Sequence, residues 1–330
     1  MSSQTSNSEE RSVVVSLNPK SGRRSSETRA IKLAEELDSL GFSVEIGDDL
    51  GTMVSEAIDL HKRGSLQALV GVGGDGTAAE LVNRTPRGLP ITLLPAGTAN
   101  LIAKRFKLPF NPIKSAKMIA QGQTLSLDAG WANSRLFLAM VSAGLDAEIV
   151  SRVHSAREAK YRSRGKEGGH ISYLSYLKPL LQGIRAYKFT PIQTAYYETN
   201  ESQPEIVEGS WSLVCNLPNY GWGVRLAPDC DEIDGKFDYC IFQGGRFCST
   251  LARVLAAHLW GAHRRFSSVR LGRGARFTLS APYAVPYQLD GDPGGVLPVK
   301  IRVDPGRFTL VAPPEIVRQV EERHRARSDS

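Results

Sequence analysis

No stretch of this chain approaches the roughly 18 uninterrupted apolar residues that a membrane-crossing helix needs. The first eleven residues are polar and acidic rather than a basic stretch followed by an apolar core, so neither a membrane anchor nor a secretory leader is expected. Cysteine is scarce: Cys215, Cys230, Cys240 and Cys248 fall in one third of the chain, with no C-x-x-C pair and no histidine at zinc spacing. That argues against a zinc centre and leaves free thiols in a reducing compartment as the plain reading. His258 and His263 stand five apart, a spacing that does not place them well on one helical face. Internal repeats are absent too.

Acids are missing where bases are dense. Between Asp238 and Asp290 there is no carboxylate but there are seven arginines, and residues 152–188 carry nine Lys or Arg against Glu158 and Glu167. These two clusters dominate a formal charge of +7. Large apolar side chains are interleaved with them: Tyr173, Leu174, Tyr176 and Leu177 in the first, Phe247 and Trp260 in the second. Such a surface suits an anionic membrane interface or a nucleic acid, and a solvated charged face reads the same way.

What is present is a chain of 330 residues, 41% hydrophobic and 23% charged, long for one domain and able to bury two cores. Its first part alternates strand and helix. Residues 13–17, 42–46, 68–72 and 91–94 read as buried strands, and residues 26–40 as an amphipathic helix with Ile31, Leu33, Ala34, Leu37 and Leu40 at helical spacing. A short helix over 52–61 and another from Asn100 through Phe106 complete a pattern that predicts a parallel sheet with helices on both faces. After about Asp128 the texture changes to short β-type segments (136–141, 187–194, 210–216, 237–242, 275–280 and 299–303), which predicts an antiparallel sandwich or barrel. The polar stretch 198–208 reads as a mobile hairpin or loop, and the tail from Pro313 as a helix.

The strand at 68–72 empties into Gly73, Gly74, Asp75, Gly76 and Thr77, which open a helix. Glycines without Cβ atoms let backbone N–H groups close on an anion, and the helix N-terminus adds partial positive charge, so a nucleotide phosphate is the expected guest. The bland alternative is a tight turn in which Asp75 caps its own helix through Thr77 or Ala78. A second candidate turn follows the first strand, with Asn18, Ser21, Gly22 and the cation Arg23, and a third follows the fourth strand, with Gly97, Thr98 and Asn100. In an open α/β sheet these strand ends line one crevice. Asp290-Gly291 and Asp234-Gly235 each read either as chemistry or as a hairpin turn.

Taken together, N-P-x-S-G at 18–22, G-G-D-G-T at 73–77, G-T-x-N at 97–100, D-G-x-x-D at 234–238 and D-G-D at 290–292 resemble the diacylglycerol kinase catalytic-domain family, the lipid kinases that include sphingosine and ceramide kinases. The resemblance implies an α/β domain of the NAD kinase type over residues 1–128, completed by about 308–330. A β-sandwich domain for the lipid acceptor over 129–307 would follow, with ATP in the cleft between the two. Asn18, Ser21, Gly22, Arg23, Gly73, Gly74, Gly76, Thr77, Gly97, Thr98 and Asn100 would hold the nucleotide. By the same resemblance Asp290 would take the acceptor's proton, and a structural magnesium would map to Asp234 with carbonyls of Asp231 and Lys236. Asp75, a carboxylate out of place if its only task were to attract phosphate, is expected to orient the magnesium-bound phosphates. Two departures stand out: Leu101 where many members carry an acid, and Asp292 in place of the usual Glu. The implied setting is the cytoplasmic side of an anionic membrane, bound peripherally, with no nucleic acid expected and a homodimer possible. The competing readings are an NAD kinase, which shares the glycine loop, and a nucleotide-binding regulator without catalysis.

Overall fold

The computed structural model describes residues 11–18, 23–164, 187, 189–199, 203–219, 225–244 and 262–328, with the backbone alone at 23, 24, 156–164, 262 and 328. The chain divides into two compact units, residues 1–126 with 308–330 and residues 127–307.

In the first unit the chain runs β1 (Ser12–Leu17), α1 (Arg23–Ser39), β2 (Ser43–Gly47), α2 (Leu50–Lys62), β3 (Leu66–Gly73), α3 (Asp75–Arg84), β4 (Ile91–Pro95), α4 (Leu101–Arg105) and α5 (Pro112–Gln121). Val13, Val14 and Val15 in β1 and Ala68, Leu69 and Val70 in β3 have no solvent exposure, as befits central strands covered on both faces. The sheet order is β2-β1-β3-β4, every pair parallel. Helix α1 buries Ala30, Leu33 and Leu37, a stripe at i, i+3 and i+7. Ile31 and Leu40, expected on that face, are 47% and 42% exposed because the buried stripe is narrower than the apolar pattern. Asp49 caps α2 by accepting from the Thr52 amide at 2.7 Å, and Asn111 with Pro112 starts α5. The chain returns to this unit at its end, where Leu310 pairs in parallel with Ile91 and the Thr92 hydroxyl donates to the Val311 carbonyl at 2.9 Å.

Among the described residues the second unit is β apart from one α-helix and a short 3-10 turn at Ala262–Arg265. In chain order it holds β5 (Thr124–Ala132, whose first residues belong to the first unit), β6 (Arg135–Phe137), β7 (Met140–Ala143), α6 (Leu145–Arg164), β8 (Ile192–Tyr197), β9 (Glu205–Gly209), β10 (Trp211–Cys215), β11 (Phe237–Phe242), β12 (Val269–Gly274), β13 (Arg276–Ser280), β14 (Pro286–Leu289), β15 (Asp292–Val296) and β16 (Val299–Val311); α7 (Pro314–Ser328) closes the chain in the first unit. One antiparallel sheet has the order β12-β11-β10-β7-β14-β15, and β16, β13, β8 and β9 pair antiparallel in a second. Their inner faces share one core, in which Val141, Val214, Phe237 and Ile241 meet Phe277, Leu279, Val299 and Ile301. This is the sandwich geometry, with alternate side chains of each strand turned inward.

One expectation is corrected here. The segment 136–141 is not one strand: it breaks at Leu138 and Ala139, whose amides turn to a carboxylate described below. Of the two readings of 198–208 the hairpin holds, since Glu205–Gly209 pairs antiparallel with β8 as an edge strand that leaves Ile206 65% exposed. Helix α6 went unread because its sequence is charged nearly all round and shows no apolar stripe.

His263 is expected to make stability depend on pH. Its ring is fully buried, Nε2 meets the Leu226 carbonyl at 3.0 Å and Nδ1 has no partner, so a second ring proton would be buried without an acceptor. Burial lowers its pKa from the ordinary 6.5. The folded protein therefore binds fewer protons at this site than the unfolded chain, and stability falls as pH drops through and below that ordinary value. We expect the unfolding temperature of the wild type to fall between pH 7.5 and pH 5.5 more steeply than that of His263→Gln, which keeps a donor for Leu226 and cannot titrate. Parallel slopes would contradict this.

Candidate active site

The site begins at the carboxyl ends of the parallel strands. Gly73 ends β3 and Gly74 takes the N-cap place of α3, where no side chain caps the helix. An uncapped helix start flanked by glycine suits an anion. The turn after β4 folds directly against it. A Cβ on Gly74 would sit 3.0 Å from the Gly97 Cα, and one on Gly97 only 2.6 Å from the Gly74 Cα, so the two glycines are needed for two backbones to touch. Above Gly76 the space is open: a Cβ there meets nothing within 4 Å.

Polar side chains lock this arrangement. Asn100, in the left-handed region at φ +49°, accepts from the Gly97 amide at 3.0 Å and donates to its carbonyl at 2.7 Å. Asp75 does not cap its own helix. Its two carboxylate oxygens accept the amides of Leu101 and Ile102 at 2.9 and 3.0 Å, so it caps α4 and ties the two glycine turns together. Leu101, the departure from the family pattern, contributes its backbone here. Asn18 donates to the Thr77 hydroxyl at 2.9 Å, joining the turn after β1 to α3. The sequence therefore brought together Asn18, Gly73, Gly74, Asp75, Thr77, Gly97 and Asn100; Thr98 is exposed beside them. Ser21, Gly22 and the side chain of Arg23 lie outside the described residues.

One member of this group was missed. Arg29 in α1 donates to the Pro95 carbonyl at 2.8 Å and the Phe110 carbonyl at 2.6 Å, fixing the end of β4 just before the Gly97 turn. Burial lowers its pKa. A single arginine on an amphipathic helix carries no signal in the sequence.

In the second unit Asp290 and Gly291 form a two-residue hairpin turn between β14 and β15, with φ +50° and +91° at the two positions. Left-handed backbone at both is the geometry a tight hairpin demands. Yet this is no ordinary surface turn. The Asp290 carboxylate accepts three amides, Leu138 at 2.7 Å and Ala139 and Met140 at 2.8 Å, and its own amide donates to the Met140 carbonyl at 3.1 Å. That hold fixes the carboxylate and produces the break between β6 and β7.

The Asp234 loop lies in the same unit. Asp234 accepts the Lys236 amide at 2.9 Å and pairs with Arg273, while the Gly235 amide is taken by Asp128 at 2.7 Å. Asp231 is buried. Among the described residues no three His, Cys, Asp or Glu side chains are arranged to hold a metal ion. The Arg273 guanidinium lies against the Asp234 carboxylate in this arrangement. Asp128, which also accepts the Gly306 amide at 2.8 Å, is the organising side chain that sequence reasoning missed.

An α/β unit with interlocked glycine turns and a β-sandwich unit that carries a pinned aspartate turn, in one chain, define an α/β protein of the NAD kinase-like fold class. Residues 12–132 match the diacylglycerol kinase catalytic domain and residues 139–312 match the YegS C-terminal NAD kinase beta sandwich-like domain. The chain belongs to the diacylglycerol kinase catalytic-domain family and is a phosphotransferase of the lipid-kinase class. It is 24% identical over 290 residues to a diacylglycerol kinase of Staphylococcus carnosus, covering 85% of this chain and 88% of that protein. The fold matches the crystal structure of a diacylglycerol kinase from Bacillus anthracis with a TM-score of 0.66 at 17% identity, over 94% of this chain and 98% of that one. An Archaeoglobus fulgidus NAD kinase solved with ATP matches at 0.51 and 12% identity, over 96% and 98%.

Proposed function

We propose that this protein transfers the γ-phosphoryl group of ATP to a hydroxyl of a membrane lipid such as diacylglycerol. The observation that carries the reading is the pair of glycine turns tied by Asp75: an uncapped helix start, open space over Gly76, and fixed backbone on both sides. Phosphoryl transfer depends chiefly on positioning and on donors fixed before reaction, which is what such a frame supplies. Gly73, Gly74, Gly76 and Thr77, with Asn18 and the Gly97 turn, hold the phosphates. Asp75 acts through the backbone it ties down. Asp290 takes the proton of the attacking hydroxyl, and its fixed orientation supports that role. Magnesium, arriving with the nucleotide, offsets the charge on its phosphates.

The lipid reading is supported by a surface of the second unit. Arg265 and Arg270 are exposed beside Phe266 and Leu271, 41% and 37% exposed, with Arg264 and Arg273 close in sequence and paired to Asp229 and Asp234. Cations around apolar tips suit an anionic bilayer, and peripheral binding at the cytoplasmic leaflet is part of the proposal. The stretches of the basic clusters at 165–186 and 246–260, with Tyr173, Leu174, Tyr176, Leu177, Phe247 and Trp260, lie outside the described residues, as do the side chains of 156–164. The test is transfer of label from γ-labelled ATP to diacylglycerol in vesicles. Label in the organic extract, greater with phosphatidylglycerol in the vesicles and reduced by high salt, is expected. No label in any lipid overturns the reading, and equal rates on neutral vesicles remove its electrostatic part.

A further inference from the structure

Behind the Asp290 turn lies a polar cluster that the chemistry above does not use. Ser142, Asp146, Trp211 and Gln288 have exposures of 0%, 4%, 4% and 1%, so each is shut off from water. Asp146, in the first turn of α6, takes the Trp211 indole N–H and the Ala147 amide on Oδ1, both at 2.8 Å. Its Oδ2 takes the Ser142 hydroxyl and, at 3.2 Å, the Gln288 amide nitrogen. Gln288, the cross-strand neighbour of Ser142, also donates to the Ser142 hydroxyl at 2.7 Å. Its remaining polar atom, Oε1, accepts the Gly291 amide at 2.7 Å.

The chain of bonds has a direction. A carboxylate only accepts, so the Gln288 side chain must present its nitrogen to Asp146 and its oxygen to Gly291. The charge at 146 thereby decides which way the amide at 288 points, and that amide holds the second residue of the turn whose first residue is Asp290. Burial makes the choice firm, because an amide turned the other way would set acceptor against acceptor at Asp146 and donor against donor at Gly291.

We propose that Asp146 and Gln288 are positioning residues for the Asp290-Gly291 turn, Asp146 acting through the polarity of the Gln288 amide. This rests on the role given to Asp290 above. Asp146→Asn is nearly isosteric but offers an NH₂ where an oxygen stood. The Gln288 amide then either faces that NH₂ or turns over and faces the Gly291 N–H. Adding Gln288→Glu returns a carboxylate that accepts from both the new amide and Gly291, and the pair keeps the wild-type net charge.

Asp146→Asn is expected to lower kcat on lipid roughly 10- to 100-fold with the KM for ATP within about twofold of wild type, and the double variant to recover most of the loss. Exchange of the Gly291 amide with solvent should be slow in the wild type, faster in Asp146→Asn and slow again in the double variant. The inference is overturned if Gly291 stays protected in the single variant, if the second substitution fails to restore protection, or if kcat per folded molecule does not fall. The exchange readout needs no substrate. A protected wild-type Gly291 in a protein that phosphorylates no lipid would overturn the kinase reading and leave this bond standing.

Discussion

Gly97→Ala is expected to abolish most ATP-dependent turnover, lowering kcat/KM for ATP by roughly 100-fold or more. The added methyl would lie 2.6 Å from the Gly74 Cα, 2.8 Å from the Asn100 side-chain oxygen and 3.1 Å from the Gly74 nitrogen. Two of these three atoms are backbone and cannot rotate away, so the turns after β3 and β4 must part. Parting them breaks the pair of bonds between Asn100 and Gly97 and draws the Leu101 and Ile102 amides away from Asp75. The strain should cost about 1–3 kcal/mol of stability. ATP is expected to raise the unfolding temperature of the wild type by binding the folded state, and to raise that of Gly97→Ala far less. Gly76→Ala is the contrasting variant. Its methyl points into open space, so the unfolding temperature without ATP should stay in place while the ATP-induced rise shrinks, because the proposed reading gives that space to the phosphates. A normal ATP-induced rise in Gly97→Ala would show that the contact between the turns has no part in binding.

Asp290→Asn is the second large effect. General base catalysis contributes roughly 10²- to 10⁴-fold, and kcat should fall by that order with little change in the KM for ATP. The variant is also a structural insult that can be read separately. The asparagine oxygen can keep the Ala139 and Met140 amides, but its NH₂ group faces the Leu138 amide, leaving one donor unpaired at a cost of about 1–3 kcal/mol. Turnover is therefore compared per folded molecule at a temperature below the variant's transition. Undiminished turnover with a folded protein would remove Asp290 from the chemistry and leave it the anchor of the break between β6 and β7.

The two effects differ in how far the sequence could foresee them. Strand ends followed by glycine turns were legible because the physics is local: a buried valine run and a Cβ-free turn are both written within a few residues. Asn18, Thr77, Gly74 and Gly97 are thus found where the pattern put them. The partners of the two key aspartates were not legible, because they are set by tertiary placement. Asp75 reaches amides 26 and 27 residues on, and Asp290 takes amides about 150 residues back. For the same reason 136–141 read as one strand, since nothing within it announces that a distant carboxylate will claim its middle amides. The edge strand at Glu205–Gly209 was hidden by its polar, exposed composition, and the partners of the Asp234 loop were not legible because Arg273 and Asp128 are far away in sequence.

The most direct measurement offers all acceptors at once: γ-labelled ATP and magnesium with anionic vesicles containing diacylglycerol, ceramide and a sphingoid base, and NAD in the aqueous phase, followed by extraction and counting of both phases. The account predicts label in the organic phase, dependent on Asp290 and on the Gly97 turn. Label in the aqueous dinucleotide, or ATP bound with no label in either acceptor, would contradict it.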